Sequence, residues 1–265
     1  MTKADAFLFF ILSWITFILT GFIIGNTTLL FPEKYWTPIL LVSPIITLSL
    51  SYCIIWLLLI KKKYTFFDWK DFKNFNSDLF LPITLMVVGI QIIEQPFVDF
   101  YNDLFYPELS DLWRNQKTEI NINLLFSSIT AILIAPIFEE LLFRKIIFRQ
   151  LLRRNSLWTS VTLSSLMFAL VHIPLYGKII PTFLIGVLSA LIFFKTGKII
   201  YSIIFHFVNN FLAMTWDFYL PDFWNNYRAM EFNINYWLIC LTGVFVLWCG
   251  GKLFLRKIEK SRENL

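Results

Sequence analysis

Eight long apolar runs follow one another along the chain, and they constrain its fold more than any other feature. Each approaches the roughly 20 residues with which an α-helix crosses the hydrocarbon core of a bilayer. Charged residues make up 15% of the chain, whereas a soluble domain carries about 25%. The runs are Ala6–Leu30, Trp36–Ile60, Leu79–Val98, Leu124–Phe143, Trp158–Leu175, Ile179–Phe194, Ile199–Leu220 and Tyr236–Gly251. The sequence therefore predicts an all-α, polytopic membrane helix bundle, with about eight transmembrane helices in a single integral membrane domain over residues 1–265.

The basic residues predict how these helices are oriented. Lysine and arginine are enriched on the cytoplasmic side of membrane proteins. With the N-terminus placed inside, seventeen of the 23 lysine and arginine residues fall in inner segments and five in outer ones. We therefore expect an N-in, C-in topology. The net charge of +5 then reflects this asymmetry and contact with anionic lipid headgroups, and no nucleic acid partner is expected.

Several ionisable residues interrupt the apolar runs. His172 and His206 are the two histidines of the chain, and the fourth run carries Glu139, Glu140 and Arg144. Insertion of such a group into hydrocarbon costs on the order of 2.5–3.5 kcal/mol. Polar groups that are kept at this cost are functional-site candidates, and together they predict a polar cavity within the membrane.

Helical spacing sorts these residues into pairs. Glu140 and Arg144 are four residues apart and meet on one helix face, whereas Glu139 is rotated by about 100°. A buried ion pair that orients the helix explains Glu140 and Arg144 equally well, but it leaves Glu139 as an unpaired carboxylate. His206 and Asn210, in the seventh run, are again four apart.

A hairpin between the fourth and fifth runs brings a carboxylate and an imidazole to one depth. The predicted turn lies near Asn155 and Ser156. Glu139 is 16 residues before Asn155, and His172 is 16 residues after Ser156. His172 also lies four residues after Phe168, so we expect both to project from one face of the fifth helix.

These residue types favour hydrolysis by an activated water molecule. A carboxylate beside an imidazole can orient and deprotonate water, and donors from His206 and Asn210 could stabilise the oxyanion of a tetrahedral intermediate. No serine or cysteine lies beside either histidine in a nucleophile motif, so hydrolysis of an amide by water is the expected reaction. Zinc bound by Glu139, His172 and His206 stays an alternative, although no HExxH motif occurs.

Three motifs resemble those of the CPBP family, which comprises CAAX proteases and bacteriocin-processing enzymes. Glu139–Arg144 resembles its EExxxR motif, Phe168–His172 its FxxxH motif and His206–Asn210 its HxxxN motif. The resemblance covers Leu124–Leu212, the expected catalytic core. It implies an intramembrane endopeptidase of the same type as the Ras-converting CAAX endopeptidase.

The resemblance also implies a role for each residue. Glu139 and His172 would activate the water, and His206 and Asn210 would form the oxyanion hole. The supporting residues would be Glu140, Arg144 and Phe168. The family has been described both as zinc metalloproteases and as metal-independent glutamate proteases. We expect the second kind, with no required cofactor, because water activation by a carboxylate and an imidazole needs no metal.

The implied partners are a membrane-associated protein or peptide substrate and the lipid bilayer. Short loops and the lack of an added domain resemble bacterial-type members, so we expect a bacterial plasma-membrane protein whose cavity opens toward the cytoplasm. Two other classes stay open, namely a non-catalytic membrane scaffold or immunity protein and a proton-coupled transporter. The missing inverted repeat argues against the transporter.

Overall fold

The computed structural model of the protein describes residues 2–32, 35–59, 69–73, 75–106, 128–173 and 176–263. Regular structure within these ranges is helical, with no strand among the described residues. The regular α-helices are α1 (Lys3–Thr28), α2 (Trp36–Leu59), α3 (Phe80–Phe105), α5 (Leu157–Leu170), α6 (Ile179–Thr196), α7 (Ile199–Tyr219), α8 (Pro221–Ala229) and α9 (Ile234–Glu263). The all-α prediction is confirmed.

The fourth helix, α4, is irregular. It consists of the consecutive segments Thr130–Ile134, Ala135–Glu140, Leu141–Phe148 and Arg149–Leu152, of which the first and third are π-helical. Pro136 has no amide hydrogen for the carbonyl four residues earlier, so it interrupts the α-helical ladder. The π-helical turn lies just before it, and such wide turns are frequent at functional sites.

Within the described ranges, five helices are long and apolar enough to cross a membrane. They are Lys3–Thr28, Ser77–Phe105, Ile179–Thr196, Ile199–Trp216 and Ile234–Ser261. The second and fifth predicted runs contain shorter apolar helices, Val42–Ile55 and Leu157–Leu170. The start of the fourth run, residues 124–127, lies outside the described residues. A polytopic membrane protein is thus supported, while the count of eight and the N-in, C-in topology stay predictions.

Helices α3 and α9 pack with their backbones in contact. A Cβ atom added to Gly89 would lie 2.5 Å from the backbone nitrogen of Leu247, and one added to Gly250 would lie 2.9 Å from that of Met86. Small residues permit this close approach between membrane helices. The contact fixes α3, whose opposite side faces α7 and the candidate site.

The fifth helix is shorter than its apolar run predicts. It begins after the N-cap Ser156, which confirms the predicted turn, and it ends at Leu170 rather than continuing to Leu175. His172 therefore lies in the turn that follows the helix. Ile173 precedes a proline in the sequence, and the residue before a proline is disfavoured in the α conformation.

Candidate active site

Glu140 is the centre of a hydrogen-bond network that joins α4, α6 and α7. Its side chain is fully buried. Oε2 accepts a hydrogen bond from Ser189 Oγ at 2.5 Å and lies 3.1 Å from Arg144 Nε, while Oε1 accepts from His206 Nδ1 at 3.0 Å. A buried carboxylate needs such partners to offset its lost hydration. The pairing of Glu140 with Arg144 is the one that their four-residue spacing predicts.

The guanidinium of Arg144 is only partly satisfied. Its Nε atom donates to Ser189 Oγ at 3.2 Å and is paired with Glu140. Nη1 and Nη2 are buried and have no hydrogen-bond partner among the described residues. The guanidinium carbon lies 4.9 Å from the ring centroid of Phe168, a cation–π contact.

The ring of Phe168 separates and orients the two histidines. Its centroid lies 5.0 Å from that of His172 and 5.5 Å from that of His206, both in edge-to-face geometry. A Cβ atom added to Gly186 on α6 would lie 3.3 Å from this ring. Phe168 thus has little room to move, and both imidazoles pack against its ring.

His172 is held through its own backbone turn. Its Nδ1 atom lies 2.9 Å from the carbonyl oxygen of Phe168. Because a carbonyl oxygen only accepts hydrogen bonds, Nδ1 carries the proton of this bond. In the neutral ring, Nε2 then has a free lone pair that can accept a proton.

Glu139 is the less constrained of the two carboxylates. Its side chain is 16% exposed. Its Oε2 atom is buried without a hydrogen-bond partner among the described residues, and His206 Nε2 lies 3.9 Å from it. An unsatisfied buried oxygen of this kind requires an explanation, and catalysis is one.

Asn210 and its neighbour Asn209 link the site to α3. Asn210 Nδ2 donates to the carbonyl oxygen of Ala131 at 2.8 Å, within the first π-helical segment of α4. Gln91 Nε2 donates to Asn209 Oδ1 at 2.8 Å, and Asn209 Nδ2 lies 3.4 Å from Asn210 Oδ1. The chain of contacts therefore runs from α3 through α7 to α4.

Glu139 and His172 line one cavity of about 140 Å³. Its other walls come mainly from α1 and α2, and they include Trp14, Ser51 and Tyr52. Most of these walls are apolar, whereas the sequence predicts a polar cavity. The difference arises because α1 and α2 contribute aromatic and aliphatic side chains.

The four predicted catalytic residues do not all line this cavity. His206 and Asn210 are absent from its walls. His206 instead contacts both glutamates, and Asn210 contacts the α4 backbone. The sequence pairs His206 with Asn210, whereas in the structure His206 lies next to the two glutamates of α4.

The described residues include no group of three or more His, Cys, Asp or Glu side chains that could hold a metal ion. The zinc alternative with Glu139, His172 and His206 as ligands is therefore not supported by this geometry. The Nδ1 atom of His206 is engaged by Glu140 at 3.0 Å, and that of His172 by a backbone carbonyl.

Sequence reasoning missed the part that Ser189 takes in the site. This serine is fully buried in α6 and contacts both members of the Glu140–Arg144 pair. Its hydroxyl in an otherwise apolar run was a weak signal, and the sequence alone names no partner for it. Gln91 is likewise a polar side chain in the apolar stretch of α3, and the sequence names no partner for it.

The fold and these residues define a helical membrane protein with a carboxylate–imidazole site between its helices. Residues 121–212 match the family described as type II CAAX prenyl endopeptidase Rce1-like. The match confirms, over this part of the chain, the family resemblance that the three motifs predict. Neither a curated protein nor a solved structure matches the chain.

Proposed function

We propose that this protein is an intramembrane endopeptidase that cleaves a peptide bond with water activated by Glu139 and His172. One observation carries the proposal. Of the two adjacent glutamates, Glu140 is fully buried and engaged by structural partners, while Glu139 keeps an unpartnered buried oxygen among the described residues and lines a cavity with His172. A carboxylate with a free oxygen that shares a cavity with an imidazole with a free nitrogen is suited to general-base catalysis through a bound water molecule.

The proposed reaction begins with a water molecule between Glu139 and His172. One of these groups takes a proton from the water as its oxygen attacks the carbonyl carbon of the substrate. The carbon–nitrogen bond of the tetrahedral intermediate then breaks, and the stored proton passes to the leaving amine. Acid and base roles of one group in successive steps are common in hydrolysis.

In this mechanism His206 and Asn210 stabilise the oxyanion. One amide hydrogen of Asn210 is used by the carbonyl oxygen of Ala131, and the other is available for the substrate. His206 donates through Nδ1 to Glu140, so donation from Nε2 requires a ring that carries a proton on both nitrogens. Such donors stabilise the developing charge because they are already oriented before the reaction.

Glu140, Arg144 and Ser189 are positioning residues in this proposal. The carboxylate of Glu140 receives hydrogen bonds from both α6 and α7. It therefore sets the distance between His206 and the α4 residues, while Phe168 sets the ring orientations. Preorganisation of this kind is what a water-mediated mechanism needs.

The proposed substrate is a membrane-associated protein or peptide, and no metal is required. We further propose that the catalytic core of about 124–212 acts within one membrane domain, in a bacterial plasma membrane, with its cavity toward the cytoplasm. Dialysis of the purified protein against a zinc chelator tests the metal-free mechanism. Cleavage is expected to continue at the original rate, and activity restored only by added zinc would contradict it.

The central test compares Glu139→Gln with Glu94→Gln. Glu94 is a matched control because it is also a membrane glutamate with a buried, unpartnered oxygen among the described residues, but it lies on α3. Loss of the general base is expected to slow cleavage by about 10²–10⁴-fold in Glu139→Gln, with Glu94→Gln close to the original rate. Proteomic comparison of membranes that contain each variant would reveal the uncleaved substrates. Equal cleavage rates in both variants would contradict the general-base role of Glu139, whereas no cleavage by the unaltered protein would support a non-catalytic scaffold or immunity protein.

A further inference from the structure

The cavity lined by Glu139 and His172 takes much of its wall from helices that lie outside the matched residues 121–212. Helix α1 contributes Trp14 and α2 contributes Tyr52, whose ring stacks on that of Phe138 at a centroid distance of 4.7 Å. The stacking fixes one wall of the cavity against α4. The walls contributed by α1 and α2 are thus features of this chain that the family match does not describe.

The chemistry of the walls selects an uncharged, apolar group. Ser13 and Ser51 also line the cavity, but each donates its hydroxyl hydrogen to a carbonyl of its own helix, at 2.7 and 2.6 Å. Among the lining residues, Glu139 supplies a carboxylate, His172 an imidazole and Tyr52 a phenol hydroxyl. Most of the remaining lining residues are aliphatic or aromatic, so an occupant meets mainly apolar surface beside the reactive pair.

The volume of the cavity limits the size of that occupant. An apolar cavity of about 150 Å³ holds one benzene molecule, and this cavity has a volume of about 140 Å³. A leucine or phenylalanine side chain is of this size. A farnesyl chain has more than twice as many carbon atoms as benzene and exceeds it.

We propose that this cavity is the subsite for one uncharged, apolar side chain of the substrate, next to the cleaved bond, and that Trp14, Ser51 and Tyr52 limit its size. The proposal rests on the proposed endopeptidase function and narrows its substrate. The enzyme selects an unprenylated peptide by an amino-acid side chain of leucine or phenylalanine size. The cavity is partly open at the protein surface, which lets the peptide backbone remain outside it.

The first test measures residue preference with a mixture of membrane-anchored peptides randomised on both sides of the cleaved bond. The purified full-length protein is expected to prefer Leu or Phe at one position and to reject Asp and Lys there. A single methylene is worth about 10- to 200-fold in a hydrophobic pocket. Tyr52→Ala and Trp14→Ala enlarge the cavity, so each is expected to raise the ratio of cleavage rates for Trp and Leu at the selected position by at least about tenfold. Ser51→Leu reduces the cavity and is expected to shift the preference toward Ala.

Leu57→Ala is the matched control for these variants. Leu57 lies on α2, is 55% exposed and is absent from the cavity walls, so its truncation is expected to leave the preference unchanged. The proposal would be overturned if Tyr52→Ala, Trp14→Ala and Ser51→Leu all kept the residue preference of the unaltered protein.

The second test separates this proposal from the proposed function. Peptides with S-farnesylcysteine near the cleaved bond are expected to be cleaved more slowly than unmodified ones. Faster cleavage of the farnesylated peptides would overturn the subsite proposal and leave the endopeptidase function intact. If the protein cleaves no peptide at all, the endopeptidase function fails.

A binding measurement tests the subsite without catalysis. N-acetyl-4-fluorophenylalanine amide is added to Glu139→Gln, and ¹⁹F NMR detects the bound state. The compound is expected to bind to Glu139→Gln and to the double variant Glu139→Gln/Leu57→Ala. It is expected not to bind to the double variant Glu139→Gln/Ser51→Leu. The absence of a bound signal in Glu139→Gln, or its persistence with Ser51→Leu, would overturn the proposal.

Discussion

Glu140 and His206 are joined by a hydrogen bond of 3.0 Å between Oε1 and Nδ1, across the interface of α4 and α7. Through this bond the carboxylate that pairs with Arg144 also holds a histidine that lies 3.9 Å from the second carboxylate, Glu139. The two adjacent glutamates therefore differ in what holds them. Glu140 is part of the framework, and Glu139 is available for chemistry.

Glu140→Gln and Glu139→Gln are expected to separate stability from catalysis. The first variant leaves the fully buried Arg144 without its ionic partner, and breaking a buried ion pair costs about 3–5 kcal/mol. In Glu139→Gln no hydrogen bond is lost at Oε2, because Glu139 Oε2 has no hydrogen-bond partner among the described residues. Thermal unfolding in detergent should therefore show a much lower Tm for Glu140→Gln and a nearly unchanged Tm for Glu139→Gln. Equal losses in the two variants would contradict the distinction.

Ser189→Ala is expected to weaken the same network from α6. The serine hydroxyl contacts Glu140 at 2.5 Å and Arg144 at 3.2 Å, and hydrogen bonds to charged groups contribute about 1.5–3 kcal/mol each. We expect a lower Tm and slower cleavage. Ser160→Ala is the control, because Ser160 is equally buried but bonds the carbonyl of Ser156 in its own helix turn. A similar loss in both variants would show that any buried serine matters equally.

Phe168→Leu is expected to impair activity more than stability. Leucine keeps most of the apolar volume, but it loses the ring that contacts Arg144, His172 and His206. Exchanges between apolar residues of similar volume usually cost less than about 1.5 kcal/mol, so folding should be retained while both imidazoles lose their alignment. Cleavage rate and Tm are measured together for this variant.

The control for Phe168→Leu is Phe148→Leu on α4. Phe148 is also almost fully buried, and its ring packs on Phe193 rather than on the histidines. We expect Phe148→Leu to lower Tm by a similar amount and to keep the cleavage rate. Slower cleavage in both variants to the same extent would assign Phe168 a packing role only.

Contacts within one helix could be predicted from the sequence, whereas contacts between helices could not. The spacing of 3.6 residues per turn is sufficient to pair Glu140 with Arg144. Hydrogen bonds of Glu140 with Ser189 and His206 span 49 and 66 residues. They depend on the rotation and depth of each helix in the bundle, which periodicity within a helix does not determine.

Local irregularities were also beyond the sequence pattern. The apolar run continues past His172, but the helix ends at Leu170 ahead of a proline. The π-helical segments of α4 widen the helix beside Pro136, and hydropathy does not distinguish them from α-helix. Both irregularities occur where a predicted catalytic residue lies nearby, as expected when a functional site overrides regular geometry.

Gln91→Met is expected to slow catalysis without preventing folding. Gln91 Nε2 donates to Asn209 Oδ1 at 2.8 Å, and Asn209 contacts the neighbouring Asn210. Methionine is similar in shape but cannot donate, so Asn209 is left with an unsatisfied buried acceptor at a cost of about 1–3 kcal/mol. Because Asn210 is proposed to act on the transition state, kcat should fall with little change in KM.

Gln95→Met is the control, since Gln95 lies one turn further along α3 and donates to Asp99 instead. If kcat falls in Gln91→Met and is partly restored in Gln91→Asn, Gln91 is a positioning residue. If Gln91→Met and Gln95→Met lower kcat equally, that role is contradicted.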